Sequence, residues 1–211
     1  MSVIYTVNGK KLHQEIVTSL AQRNNPTQIK NSLRLTNGQF LVKKFESMKR
    51  SMIREFLNLP VTKEILAGPG ATNTSGTLGG YGNLFSFIGF DAQEQPIEPI
   101  VTLLNQTSIA VSKISRSGSI NVRITMPSKN DIFAVTPLPW ATGISWAQRI
   151  ELGLSGLGVY FNKESASSRS SMGVQIENKI RPGAFTNVPY ISQFIKRWHN
   201  LFLKIEKQIT L

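Results

Sequence analysis

Residues 107–126 read TSIAVSKISRSGSINVRITM, and this stretch decides the fold class. Residues 107–115 and 119–126 each alternate apolar and polar side chains, the period of a half-buried strand. Arg116, Ser117 and Gly118 between them suit a hairpin turn. Ile120, Val122, Ile124 and Met126 then fall on one face, and Asn121, Arg123 and Thr125 on the other. A small antiparallel sheet is expected here.

The flanks change period. Between 37 and 59, Phe40, Leu41, Phe45, Met48, Met52, Ile53, Phe56 and Leu59 form one helical stripe. Lys43, Lys44, Lys49, Arg50 and Arg54 lie on the other faces. Pro60 ends this run, and Thr62 is expected to cap a short turn through Ile65. Residues 189–209 carry a second stripe: Ile191, Phe194, Ile195, Trp198, Leu201, Phe202, Ile205 and Ile209. The expectation is α+β: a small, mostly antiparallel sheet flanked by two long amphipathic helices.

Other segments read less regularly. Val3, Tyr5 and Val7 alternate as a strand would, and Leu12, Ile16, Val17 and Leu20 are spaced for a short helix. Residues 22–28 (QRNNPTQ) suit a turn or linker. Residues 1–36 are therefore expected to form an N-terminal arm that packs on a neighbour, with one domain over 37–211. Residues 67–83 form a Gly/Ser/Thr/Asn loop and 163–180 a Ser-rich loop, both expected to be mobile. Residues 84–90 (LFSFIGF) suit a buried strand, 100–104 a short helix or strand, and 132–135 a third strand. Trp146 and Ile150 share a helical face within a mixed segment.

Composition bounds the chemistry. The chain has 211 residues, 24 Lys and Arg against 12 Asp and Glu, and a net charge of +12. Charged residues are only 17 %, so the excess comes from scarce acids and not from dense basic tracts. With 40 % hydrophobic residues there is enough to build a core. The absence of cysteine excludes disulfide scaffolds, cysteine-bound metals and thiol catalysis. The opening residues lack a signal-peptide pattern, and no run is apolar enough for a membrane helix, so a protein made in the cytoplasm without a membrane partner is expected.

Catalytic constellations do not emerge. His13 and His199 stand far apart in sequence, and a surface position is expected for His199 on its helix. No H-E-x-x-H, D-x-D or G-x-S-x-G is present, so neither a metal site nor an esterase-type triad is expected. The glycine loop lacks the Gly-Lys-Ser/Thr of a phosphate loop, and no cofactor is expected. The basic face of Lys43, Lys44, Lys49, Arg50 and Arg54 is either a solvated surface balanced by Glu46 and Glu55, or a binding face for phosphate backbones or an acidic protein. Trp140, Trp146, Tyr160, Phe161 and the stretch 181–190 are either ordinary core or a subunit interface, where Trp, Tyr and Arg are enriched.

The order of segments resembles a known family. A long first helix leads through VTKEI (61–65) and the Gly/Ser loop into NLFSFIGF (83–90). WATGISWAQRIELG follows at 140–153, then RPGAF at 181–185, Pro189-Tyr190 and a last helix. This resembles the neck, or tail-completion, proteins that join head to tail in tailed bacteriophages. Glu151 and Gly153 match that family's Glu-x-Gly element, and 181–185 stands where its closing turn does. The arm 1–36 and the insertion 163–180 depart from the pattern. The resemblance implies a non-enzymatic virion subunit in a closed ring, bridging the portal-side connector and the tail near packaged DNA. It makes Trp140, Trp146, Arg149, Glu151, Arg181 and Tyr190 interface residues toward itself and other neck, portal-side or tail proteins. A basic nucleic-acid-binding protein using the helix face at 40–57 is the competing expectation.

Overall fold

The computed structural model describes residues 2–8, 26–78, 82–111, 119–152 and 188–205. Its elements in chain order are β1 (Ser2–Asn8), α1 (Pro26–Asn58), α2 (Pro60–Leu66), α3 (Leu84–Ile88), α4 (Glu98–Asn105), β2 (Ser108–Val111) and β3 (Ser119–Thr125). There follow α5 (Lys129–Ala134), β4 (Pro137–Leu138), β5 (Ala141–Ser145), α6 (Trp146–Glu151) and α7 (Ile191–Leu203). The class is α+β, as the alternation at 107–126 and the two helical stripes predict.

The chain divides into two compact units. The first comprises residues 1–52, 106–126 and 197–211. Its antiparallel sheet has the order β1-β3-β2. Val122 in the central strand pairs with Tyr5 on one side and Val111 on the other. Val122, Ile124 and Met126 are buried while Arg123 and Thr125 are exposed, so the predicted faces hold where they are described. Leu41, Phe45, Met48 and Met52 of α1 are buried at spacings of three and four, which puts them on one helical stripe. Phe45 meets Phe202 of α7 with ring centroids 5.4 Å apart.

α1 spans 33 residues, about 50 Å at 1.5 Å per residue. It begins eleven residues before the expected start. Pro26 suits a first helical position, where its missing N–H would have no partner anyway. Thr36, Asn37 and Gly38 are poor helix formers that obscure this first part in the sequence. The expected arm boundary at 36/37 lies inside α1. The helix expected around Leu12, Ile16, Val17 and Leu20 lies outside the described residues, as does the loop 163–180.

The second unit comprises residues 53–105 and 127–196. Its core is aromatic. Phe56 lies 6.0 Å from Tyr190 and 5.5 Å from Phe194 between ring centroids. Phe90 packs against Phe85 and stands edge-on to Trp146 at 5.8 Å. Trp146 in turn lies 6.4 Å from Tyr190.

Two expected strands are helices, and end caps are the reason. Residues 84–88 form α3 because the Asn83 side chain accepts the Ser86 N–H at 2.9 Å. Gly89 then closes the helix in the left-handed region at φ +88°. A Cβ at Gly89 would stand 3.2 Å from the Trp140 ring, so this approach needs glycine twice over. Ile132 and Phe133 sit in α5, which a capping box opens. The Ser128 hydroxyl accepts the Asp131 N–H, and the Asp131 carboxylate accepts the Ser128 N–H at 2.7 Å. Hydrogen bonding from Ser128 to the carboxylate, from its backbone N–H first and its side chain second, holds the Asp131 carboxyl below its ordinary pKa. Thr62 does not cap α2: it sits inside the helix, and Pro60 occupies the first turn. The helix expected at 189–209 is described as Ile191–Leu203.

Candidate functional site

The polar groups of the second unit mostly hold its own segments together. Glu64 on α2 is 1 % exposed. One carboxylate oxygen accepts the Ser75 N–H at 2.7 Å and the other the Leu84 N–H at 2.8 Å. Asn83 donates to the Pro69 carbonyl at 2.8 Å, and Thr77 and Leu78 are buried. These bonds tie Ser75 and Leu84 to α2, and Asn83 to the Pro69 carbonyl, in the described part of the loop 67–83. Thr136 donates to the Ile132 carbonyl, so the buried Ser145 hydroxyl donates to Thr136 at 2.7 Å. Ser145 also accepts the Gln148 N–H and so caps α6.

The expected interface residues divide by burial. Trp146 and Tyr190 are 1 % and 3 % exposed, so their rings fill the core of their own unit and present no face to a partner. Trp140 is half-buried, and its indole N–H donates to the Ile88 carbonyl at 2.7 Å. Arg149 is half-buried on α6. Glu151 at the end of α6 accepts both the backbone N–H and the hydroxyl of Ser192, and so anchors the first turn of α7. Arg181 lies outside the described residues.

Tyr190 has a further consequence. Its hydroxyl meets that of Thr62 at 2.7 Å in a buried pair. Burial pushes its pKa well above the ordinary tyrosine value, and the Thr62 hydrogen bond opposes this only in part. Above the ordinary value of about 10 the unfolded chain releases this proton while the folded chain keeps it. The stability contributed is thus fully present below that pH and lost as pH rises. An alkaline titration followed by phenolate absorbance is expected to show one of the four tyrosines ionising only on unfolding, and Tyr190→Phe to remove that step.

On α1, Lys43, Arg50 and Arg54 are exposed, and Lys44 and Lys49 are half-buried. Residues seven apart return to one helical face, so Lys43 and Arg50 share it, and Arg54 lies one turn further on. Glu46 is exposed on the same helix. His13 lies outside the described residues. His199, expected at the surface, is half-buried, and its Nε2 has no hydrogen-bond partner among the described residues. Among those residues no group of three His, Asp or Glu is placed to hold a metal, and no helix is long and apolar enough to cross a membrane.

The expectations above include no acidic segment, yet the sequence holds one. Residues 64–112 contain Glu64, Asp91, Glu94 and Glu98 and not one Lys or Arg, whereas the first 63 residues contain eleven Lys and Arg against three acids. Glu94 and Glu98 border a groove of about 750 Å³ in the second unit. Counting acids along the whole chain, and not only beside the basic tract, exposes this signal. Comparison of the chain with family models, curated proteins and solved structures found no match.

Proposed function

We propose that this chain is a structural virion subunit of a tailed phage, one copy in a closed ring at the head–tail junction that joins the portal-side connector to the tail. The observation that carries the reading is the charge division within one chain. The first 63 residues carry eleven Lys and Arg against three acids, and residues 64–112 carry four acids and no cation, a division that suits head-to-tail contact between copies. Heterologous contacts of that kind generate rings when the rotation closes. The order of segments that resembles the neck proteins supports the same reading. The test is the composition and imaging of the purified particle. This chain is expected there in a ring-sized copy number, and its absence from the virion overturns the proposal.

The exposed Lys43, Arg50 and Arg54 favour a second reading, a nucleic-acid-binding protein working through α1. That reading requires DNA affinity that falls steeply with salt, because cations on α1 would release phosphate counterions. The ring reading expects only weak binding at modest salt.

A further inference from the structure

Two described surfaces of this chain match each other. The first is the groove in the second unit, beside α2, α3 and α4. Ile65, Phe85 and Ile97 are buried along it, while Leu66 is 54 % exposed, a large apolar side chain left in water. Its volume lies within the roughly 300–1,000 Å³ typical of binding clefts. Glu98 is exposed in the first turn of α4. Glu94 is half-buried and accepts the Asp91 N–H at 3.1 Å, which fixes it at the border. The described residues that line the groove include no Lys or Arg. Arg54 and Lys63, the nearest cations in sequence, are outside that lining, and Lys63 lines a separate cavity.

The second surface is the outer face of α1 in the first unit. Leu41, Phe45, Met48 and Met52 occupy the buried side of that helix. At about 100° per residue, Val42, Glu46, Arg50 and Lys43 fall within about 100° of one another on the other side. All four are exposed, Val42 by 39 %. Lys44 and Lys49, half-buried, flank this face. Glu46 stands four residues before Arg50 and offsets part of its charge, so the exposed face carries two cations against one acid. Glu55, the other acid of α1, is half-buried and belongs to the second unit.

We propose that the groove beside α2, α3 and α4 takes the outer face of α1 from a second copy of this chain, with Lys43 and Arg50 facing Glu94 and Glu98 and Val42 against Leu66. This rests on the ring reading and specifies its contact. The contact joins the first unit of one copy to the second unit of the next, so it is heterologous and repeats from copy to copy. The aliphatic stems of Lys43 and Arg50 cover apolar lining while their charged ends reach the carboxylates. The charges set the register and the direction of approach. Such a contact weakens with salt, since rim charges are screened within about 10 Å at 0.1 M.

The experiment is a charge swap in the full-length chain, read by sedimentation. Glu94→Lys with Glu98→Lys, and separately Lys43→Glu with Arg50→Glu, are each expected to weaken self-association at least about tenfold. The two reversals move the net charge in opposite directions, so repulsion between whole copies would strengthen association in one and weaken it in the other. Mixing the two variants is expected to restore association to within about threefold, because each then offers the other a complementary contact. Val42→Ser and Leu66→Ser, at exposed positions, are each expected to weaken association with an unchanged melting temperature. Association unaffected by either reversal overturns this contact and leaves the ring intact. A reversal on α1 that lowers affinity for duplex DNA while association is kept assigns the face to nucleic acid and overturns the contact. Restoration when all four changes share one chain, but not on mixing, overturns the exchange between copies. A wild-type chain that never self-associates overturns both this contact and the ring.

Discussion

Glu64→Ala is expected to destabilise the second unit by about 2–5 kcal/mol, because it leaves two buried or half-buried backbone N–H groups without partners at roughly 1–3 kcal/mol each. The two groups belong to Ser75 and Leu84, eleven and twenty residues away, so one side chain holds both the loop and the start of α3. Glu64→Gln is expected to fall between wild type and Ala at about 1–3 kcal/mol. An amide has one acceptor oxygen, and its NH₂ group would face the other N–H donor. The measurements are urea denaturation and limited proteolysis, with new cleavage expected between residues 67 and 83. An unchanged midpoint in Glu64→Ala would mean that the carboxylate does not hold the loop.

Trp146→Ala carries the other large effect. The side chain is 1 % exposed and contacts Phe90 and Tyr190, so removing it opens a cavity in the aromatic core. Substitutions of this kind cost about 3–5 kcal/mol. At roughly 2–4 °C per kcal/mol in a chain of this size, the melting temperature is expected to drop by about 6–20 °C. Trp146→Phe keeps much of the ring area and is expected to lose well under half as much. Calorimetry checks both. A subunit-contact role for Trp146 predicts the opposite pattern, with assembly lost and the melting temperature of the isolated chain kept. Burial of the ring argues for loss of stability first.

The long elements were legible because their apolar spacing extends over many turns. Leu41, Phe45, Met48, Met52 and Phe56 specify α1's buried side, and Phe194, Trp198 and Phe202 specify α7's. The antiparallel pairing of β2 with β3 was legible for the same reason at period two, while the turn expected at 116–118 lies outside the described residues. Short apolar runs lack that redundancy. LFSFI fits a strand or a helix equally well, and the deciding residues, Asn83 and Gly89, lie outside the run. At Ile132, the capping box of Ser128 and Asp131 plays the same part from upstream. The interface expectation for Trp146 and Tyr190 rested on residue type and on the resemblance. Large aromatics serve cores and interfaces alike, and only their packing partners separate the two uses. Glu64 was hidden because its partners are backbone groups far along the chain. The acidic stretch 64–112 was countable throughout, but the basic excess drew attention to the first 63 residues.

The +12 total is unevenly spread: residues 64–112 are net acidic, and the segments on both sides of them are net basic. A uniformly basic surface would repel its own copies, whereas a basic segment paired with an acidic one attracts them in one orientation. Assembly is then expected to be tightest at low ionic strength. The direct test is the mass of the purified full-length chain by light scattering at low and high salt. The account predicts a discrete multiple of 23.4 kDa that dissociates as salt rises. A single 23.4 kDa species at every concentration and salt would contradict it.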